Sequence, residues 1–192
     1  MIFRRIIVAY LPYAILGTIL SFTVYAVVQQ NIRMSANDPQ IQLAEDGAAA
    51  ISNGASAQNI VGSGRVDMQK SLAPFVIVYD DSGKVLASSG YIGNDIPLLP
   101  TGVLDYTRSN IDDRITWQPA STTRLAAVIR RVSGGTPGFV LAGRNIREIE
   151  SREHQLLLMV AAAWIGLLVL GFIAIAYQVA SDMKEVDLEI DL

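Results

Sequence analysis

The sequence predicts an α+β domain of five strands held between two membrane-spanning helices. Three observations carry this. Residues 6–28 and 156–179 are runs of 23 and 24 residues without a charge, and between them lie β-branched and aromatic stretches separated by turn residues. A hydrophobic content of 51% is too high for a soluble chain of 192 residues, so the excess belongs to those two runs.

At 1.5 Å per residue each run is about 35 Å long, enough to cross a hydrocarbon core of about 30 Å with some tilt. The alternative for the first run is a cleaved signal peptide, with Arg4 and Arg5 as its positive start and Val24-Tyr25-Ala26 as its cleavage pattern. The run is longer than such a segment needs. The alternative for the second is a buried core helix, which seldom runs so far without a polar face. The expected organisation is a cytoplasmic N-terminus (1–5), a first span (6–28), an extracytoplasmic domain with helical stalks (29–155), a second span (156–179) and an acidic cytoplasmic tail (180–192). The orientation rests on Arg4 and Arg5 against Arg33. Arg144, Arg147 and Arg152 beside the second span, against Lys184 beyond it, vote the other way. The first helix usually decides, which places the protein in the inner membrane with its domain outside.

The first helix is expected to continue to about Met34. A second starts at Asp38-Pro39, where Asp38 caps and Pro39 loses nothing in the first turn. Ile41, Ala44, Ala48 and Ile51 give it one apolar face, and Asn53-Gly54 stops it. Residues 55–64 read as a loop with one short turn. Residues 75–79 and 84–88 flank Asp80-Asp81-Ser82-Gly83, a hairpin in which Gly83 takes the positive φ. Prolines and glycines over 90–100 forbid regular structure, and 103–109 reads as a short helix. Three strands follow at 114–118, 124–132 and 138–143, the last two joined by Ser133-Gly134-Gly135-Thr136-Pro137. From Arg144 the residues favour one helical rod entering the second span, with Glu148 four before Arg152.

This order, with the hairpin Tyr79-Asp80-Asp81-Ser82-Gly83-Lys84-Val85 and a last strand leading into the exit helix, resembles the PAS-like sensor domains of the Cache or PDC type. Those domains hang between two transmembrane helices in bacterial histidine kinases and chemoreceptors. The resemblance covers residues 38–152 and implies a five-stranded antiparallel sheet, with an N-terminal helix, that cups a small ligand whose arrival shifts the exit helix. It departs from the family after the second span, where 180–192 leave no room for an output domain.

Chemistry for catalysis is missing from the pattern. There is no Gly-x-Ser-x-Gly, no Gly-Lys-Ser/Thr phosphate loop and no cysteine, so the chain is not expected to be an enzyme. Gly62-Ser63-Gly64-Arg65 lacks the lysine of a phosphate cradle and reads as a loop. His154 reads as an interfacial residue. Asp80-Asp81 and Asp112-Asp113 lack the spaced oxygens of a calcium loop and read as turn acids, so no metal or cofactor is expected. A net charge of −3 gives no footprint for nucleic acid.

Arginine is the informative residue of the middle segment. Along 124–132, Arg131 shares one side with Leu125, Ala127 and Ile129, and Arg130 shares the other with Val128. One of the pair must face whatever covers the sheet, which makes Arg130, Arg131, Tyr106 and Trp117 candidates for binding a small anion. The alternative is salt bridging on a solvated face. In the spans, Gly17 and Ser21, and Ala162 and Gly166, stand four apart and are candidates for helix packing, within the chain or across a homodimer. Pro12 is placed to kink the first span. In the tail, Val186, Leu188, Ile190 and Leu192 alternate with acids as a strand does, and are candidates for pairing with the sheet edge of a protein partner. The alternatives there are a solvated tail or a short extension of the second helix.

The functional expectation is therefore a membrane-anchored sensor-like or ligand-binding protein that relays its domain's state to a separate protein. The alternative is an accessory subunit of a larger membrane complex that uses the domain for docking. The expected partners are the lipid bilayer, a membrane or cytoplasmic protein, a second copy of the chain and a small anionic ligand.

Overall fold

A computed structural model divides the chain into two compact units, Met1–Asn31 with Arg152–Leu192, and Ile32–Ser151. It describes residues 2–35 and 38–190, the side chains at 35, 38 and 184–190 excepted. The expected cap at Asp38 and the candidate Leu192 thus lie outside the described residues.

In the first unit, α1 (Ile2–Ser35) carries Pro12 without being ended by it. Its partner is the long helix α5 (Arg147–Ile190), and both are long and apolar enough to cross a membrane. Among the half-buried positions on α5, Leu156, Val160, Trp164, Leu168, Gly171 and Ile175 recur every three or four residues and form one stripe. The matching stripe on α1 is Ile6, Tyr10, Ala14, Gly17, Ser21 and Tyr25. Tyr10 presents its ring edge to Phe172 at 5.4 Å and donates its hydroxyl to the Leu168 carbonyl at 2.9 Å. Trp164 Nε1 donates to Thr18 Oγ1 at 3.0 Å. At Gly17 an added Cβ would stand 2.5 Å from Leu167 Cδ2, so a small residue is what lets the helices close there.

The second unit starts with α2 (Asp38–Ser52) and a short α3 (Ala57–Val61), capped by Ser56, whose hydroxyl accepts the Asn59 N–H at 3.3 Å. α2 ends as its sequence indicates, with Gly54 at φ 91°. Two-residue strands β1 (Val66–Asp67) and β4 (Gly90–Tyr91) pair in parallel, an element the glycines and prolines around them concealed. The main sheet comprises β2 (Phe75–Asp80), β3 (Val85–Ser88), β5 (Asp112–Ala120), β6 (Thr123–Arg131) and β7 (Gly138–Asn145). Its order is β3-β2-β7-β6-β5 and every neighbouring pair is antiparallel. The short helix α4 (Val103–Asn110) precedes β5.

The two faces differ in residue size for a physical reason. Val76, Val78, Val128, Val140 and Ala142 meet Ala44 and Ala48 of α2, and Gly47 comes so close that an added Cβ would lie 3.0 Å from Val140 Cγ1. Small side chains are needed where a helix lies flat on a sheet. The opposite face carries Phe75, Ile77, Leu125, Ile129, Phe139 and Leu141, each at most 1% exposed. Large side chains fill that side because its cover is irregular, made by Ile92, Ile96, Leu99, Val103 and Leu104. Each fully buried side chain of this size contributes about 1.5–3 kcal/mol. β2 and β7, covered on both faces, read as continuous apolar runs, whereas the edge strand β5 exposes Arg114, Thr116 and Gln118.

The exit helix starts later than the composition suggests. β7 keeps its pairing to Asn145, whose Oδ1 then accepts the Arg147 N–H at 2.9 Å and caps α5. Arg124 on β6 pairs with Glu150 in the first turns of α5.

Candidate functional site

The β2–β3 turn is held by its own acid. Asp80 accepts from the Ser82 hydroxyl at 2.6 Å and from the Lys84 N–H at 2.9 Å, while Gly83 sits at φ 86°. The Ser82 hydroxyl, then the Lys84 N–H, hold the Asp80 carboxyl below its ordinary value. This turn forms one wall of a cleft of about 340 Å³, and the other wall is the segment from Pro97 into α4.

Arg108 of α4 stands in the cleft wall. Its Nη1 lies 2.5 Å from Asp105 Oδ1, its Nη2 donates to the Asp81 carbonyl at 2.7 Å, and its Nε is 3.7 Å from the Asp81 carboxylate. Its guanidinium carbon lies 5.4 Å from the centre of the Phe139 ring on β7. These pairs are solvent-exposed on at least one side, so they orient the guanidinium more than they stabilise the fold. Beside it, Tyr79 is 4% exposed and lines the cleft, yet its hydroxyl has no hydrogen-bond partner. Burial pushes the phenol above its ordinary value, so it stays protonated.

α4 is bounded by unusual backbone at both ends. Gly102 sits at φ 86° before it and Ile111 at φ 71°, ψ −47° after it. Ile111 is the one non-glycine residue at positive φ among the described residues, a conformation that costs a branched side chain of order 1–3 kcal/mol. Arg131 holds this end: its Nη1 donates to the Arg108 carbonyl at 2.8 Å and its N–H to the Ile111 carbonyl at 2.8 Å. The guanidinium thereby satisfies a carbonyl at the helix C-terminus.

The four ligand candidates read from sequence are not brought together. Arg131 does lie on the α4 side, as its alternation requires, but it serves as the helix cap just described. Arg130 lies on the α2 side, 3.3 Å from Glu45. Trp117 pairs with Leu125 in the ladder, six residues and roughly 20 Å along β6 from Arg131, and is buried in the core. Tyr106 is exposed on α4. None of the four lines this cleft or the second cavity of about 310 Å³, which lies between the end of α2 and the β6–β7 loop and has no charged side chain in its wall. The residues that do converge, Tyr79, Arg108 and Phe139, carried no pattern of their own. Arg108 three residues after Asp105 in a short helix was the available signal.

The helix-packing set is half corrected. Gly17 and Ser21 lie on the inward stripe of α1, but Ala162 is exposed and a Cβ at Gly166 would touch nothing within 4 Å. Gly166 is itself half-buried, and the α5 residue that an added Cβ at Gly17 would meet is its neighbour Leu167. The tail strand is also corrected, because Val186, Leu188 and Ile190 continue α5. Extending an existing helix adds one hydrogen bond per residue without a new nucleus, whereas a lone strand has no ladder to join. Among the described residues no group of three or more His, Cys, Asp or Glu side chains is placed to hold a metal. No family model matches the chain, and no curated protein matches it.

Proposed function

We propose that the chain is a membrane-anchored, sensor-like protein whose domain binds a small molecule in the Tyr79–Arg108 cleft and relays its occupancy through β7 and α5 to a separate protein. The observation that carries this reading is the contact of Arg108 with Phe139. The cleft wall touches the one strand that leads, after Asn145 and Ile146, straight into α5. A ligand that moves Arg108 therefore acts on a strand continuous with the helix expected to cross the membrane. The PAS-like resemblance supports the same reading through the antiparallel sheet, the helix on one face and the irregular cover on the other. In this reading the domain is extracytoplasmic and the acidic C-terminus cytoplasmic. A reporter active only in the cytoplasm should work when fused after Leu192 and stay silent in the Gly134-Gly135 loop, and the opposite pattern would invert the topology.

The accessory-subunit reading draws on two facts of its own: the centre of the sheet is filled, and Leu98, on the cleft's outer segment, is 87% exposed. One experiment separates the two. The full chain purified in nanodiscs is incubated with a small-molecule extract, washed and analysed by mass spectrometry beside Leu99→Trp, which fills the cleft. Sensing requires a compound retained by the first and lost by the second. Equal retention, or none, favours docking.

A further inference from the structure

The seam between α1 and α5 is closed over only part of its length. At Gly17 the helices approach so closely that an added Cβ would stand 2.5 Å from Leu167 Cδ2, and two turns further from the domain the Tyr10 ring meets Phe172. Toward the ends that join the domain the seam opens. There Ser21, Phe22 and Tyr25 of α1 and Leu157, Ala161 and Trp164 of α5 line a groove of about 300 Å³, which continues the two packed stripes. Its deep end lies at Thr18 and Trp164. Counted from Val28, the domain-side end of the first apolar run, Thr18 is ten residues in, about 15 Å, which is half of a hydrocarbon core of about 30 Å. The mouth, at Tyr25 and Leu157, is close to the domain-side boundary of both runs. The groove thus has the depth of one leaflet.

Its walls say what chemistry suits it. Trp164 Nε1 donates to Thr18 Oγ1 at 3.0 Å, and that hydroxyl donates in turn to the Ala14 carbonyl at 2.7 Å, so both donors at the deep end are used within the protein. The rim is large and apolar, with Phe22 71% and Leu157 45% exposed. A partner helix, about 10–12 Å across, packs best against small residues and shared polar groups, and it would run through both leaflets. An acyl chain asks for neither: it has the depth of one leaflet, no polar group to satisfy, and gains by dispersion contact with the aromatic and aliphatic walls. We infer that the groove holds one acyl chain of a phospholipid from the leaflet on the domain side, a proposal that rests on the membrane-anchored part of the reading above and not on the Tyr79–Arg108 cleft. The lipid completes the α1–α5 interface at the end where α5 joins the domain.

The test uses the full chain in nanodiscs of palmitoyl-oleoyl phosphatidylcholine, doped with a phosphatidylcholine that carries a diazirine midway along one acyl chain. After photolysis, labelling is read by peptide mass spectrometry at Phe22 and at Leu20, which lies at a similar depth outside the groove wall and is 63% exposed. In the wild type Phe22 should be labelled more heavily than Leu20. In Ala161→Trp, which fills the groove, that excess should be lost while the labelling of Leu20 is unchanged. Disulfide formation between cysteines introduced at Ala14 and Leu168 checks that the helices of the variant still pack, and Leu157→Trp, at the mouth, is the second filling variant if they do not. Equal labelling at the two positions, or an excess that survives filling, is the contact any span makes with surrounding lipid and overturns the proposal. So does an unlabelled Phe22 where cysteines introduced at that position link two copies of the chain, since the occupant is then protein. If Leu20 is unlabelled as well, the span itself is wrong and the membrane-anchored reading falls, whereas the retention experiment on Leu99→Trp still decides the cleft.

Discussion

The fold shifts the titration of Asp80 and of Tyr79 in opposite directions. The Asp80 carboxyl is held below its ordinary value by the Ser82 hydroxyl and the Lys84 N–H. A depressed carboxyl contributes stability above its unfolded value, near pH 4, and loses it as pH falls through the folded one. Asp80→Asn should therefore lower the midpoint at pH 7 and narrow the difference from wild type as pH falls below about 4, as followed by circular dichroism. Tyr79 works in the other direction. Its raised value means that its contribution is intact below about pH 10 and is lost above it, because the unfolded phenol ionises first. Tyr79→Phe should flatten the alkaline limb of the stability curve above about pH 10, and a variant that loses stability there as steeply as wild type would remove the buried phenol from the account. Neither role was visible in the sequence. Alternation assigns Tyr79 to the same side as Phe75 and Ile77, but whether its hydroxyl finds a partner depends on where the irregular segment after β4 comes to rest, and no local pattern fixes that.

At the scale of elements, the hairpin, α2, α4 and the three late strands were legible because each has a local cause: alternation, an apolar stripe or a turn glycine. The arginine reading failed for an equally definite reason. Alternation says which side of β6 Arg130 and Arg131 occupy, but not what covers that side, and the cover proved to be an acid on α2 and a helix end on α4. Small-xxx-small spacing likewise found the inward stripe on α1, but on α5 the residue that meets Gly17 is the larger Leu167, next to Gly166. Two substitutions test these contacts. Phe139→Ala, at a fully buried position under Arg108, should cost about 3–5 kcal/mol in chemical denaturation. A loss below about 1 kcal/mol would show that β7 is not the keystone of the α4-side core. Gly17→Leu should push α1 from α5, read as loss of a disulfide crosslink between cysteines introduced at Ala14 and Leu168, which stand on the facing stripes. The chain has no native cysteine to interfere. Unchanged crosslinking would mean that close approach at Gly17 is dispensable.

For the molecule as a whole, the sequence disclosed the division of labour, two apolar helices and an α+β domain between them, because bilayer thickness and strand alternation both act over short windows. What it did not disclose is which side chains converge at and behind the cleft, since Tyr79 and Arg108 in its wall and Phe139 beneath Arg108 come from a strand, a helix and another strand. The central claim joins that cleft to the exit helix. Hydrogen-exchange mass spectrometry on the full chain in nanodiscs, with and without the small molecule that the purified protein retains, tests it directly. The account predicts slowed exchange in three places together: the β2–β3 turn, α4, and the β7–α5 junction around Asn145. Slowed exchange confined to the α2 side of the sheet, or in the turn and α4 with no change at that junction, would contradict it.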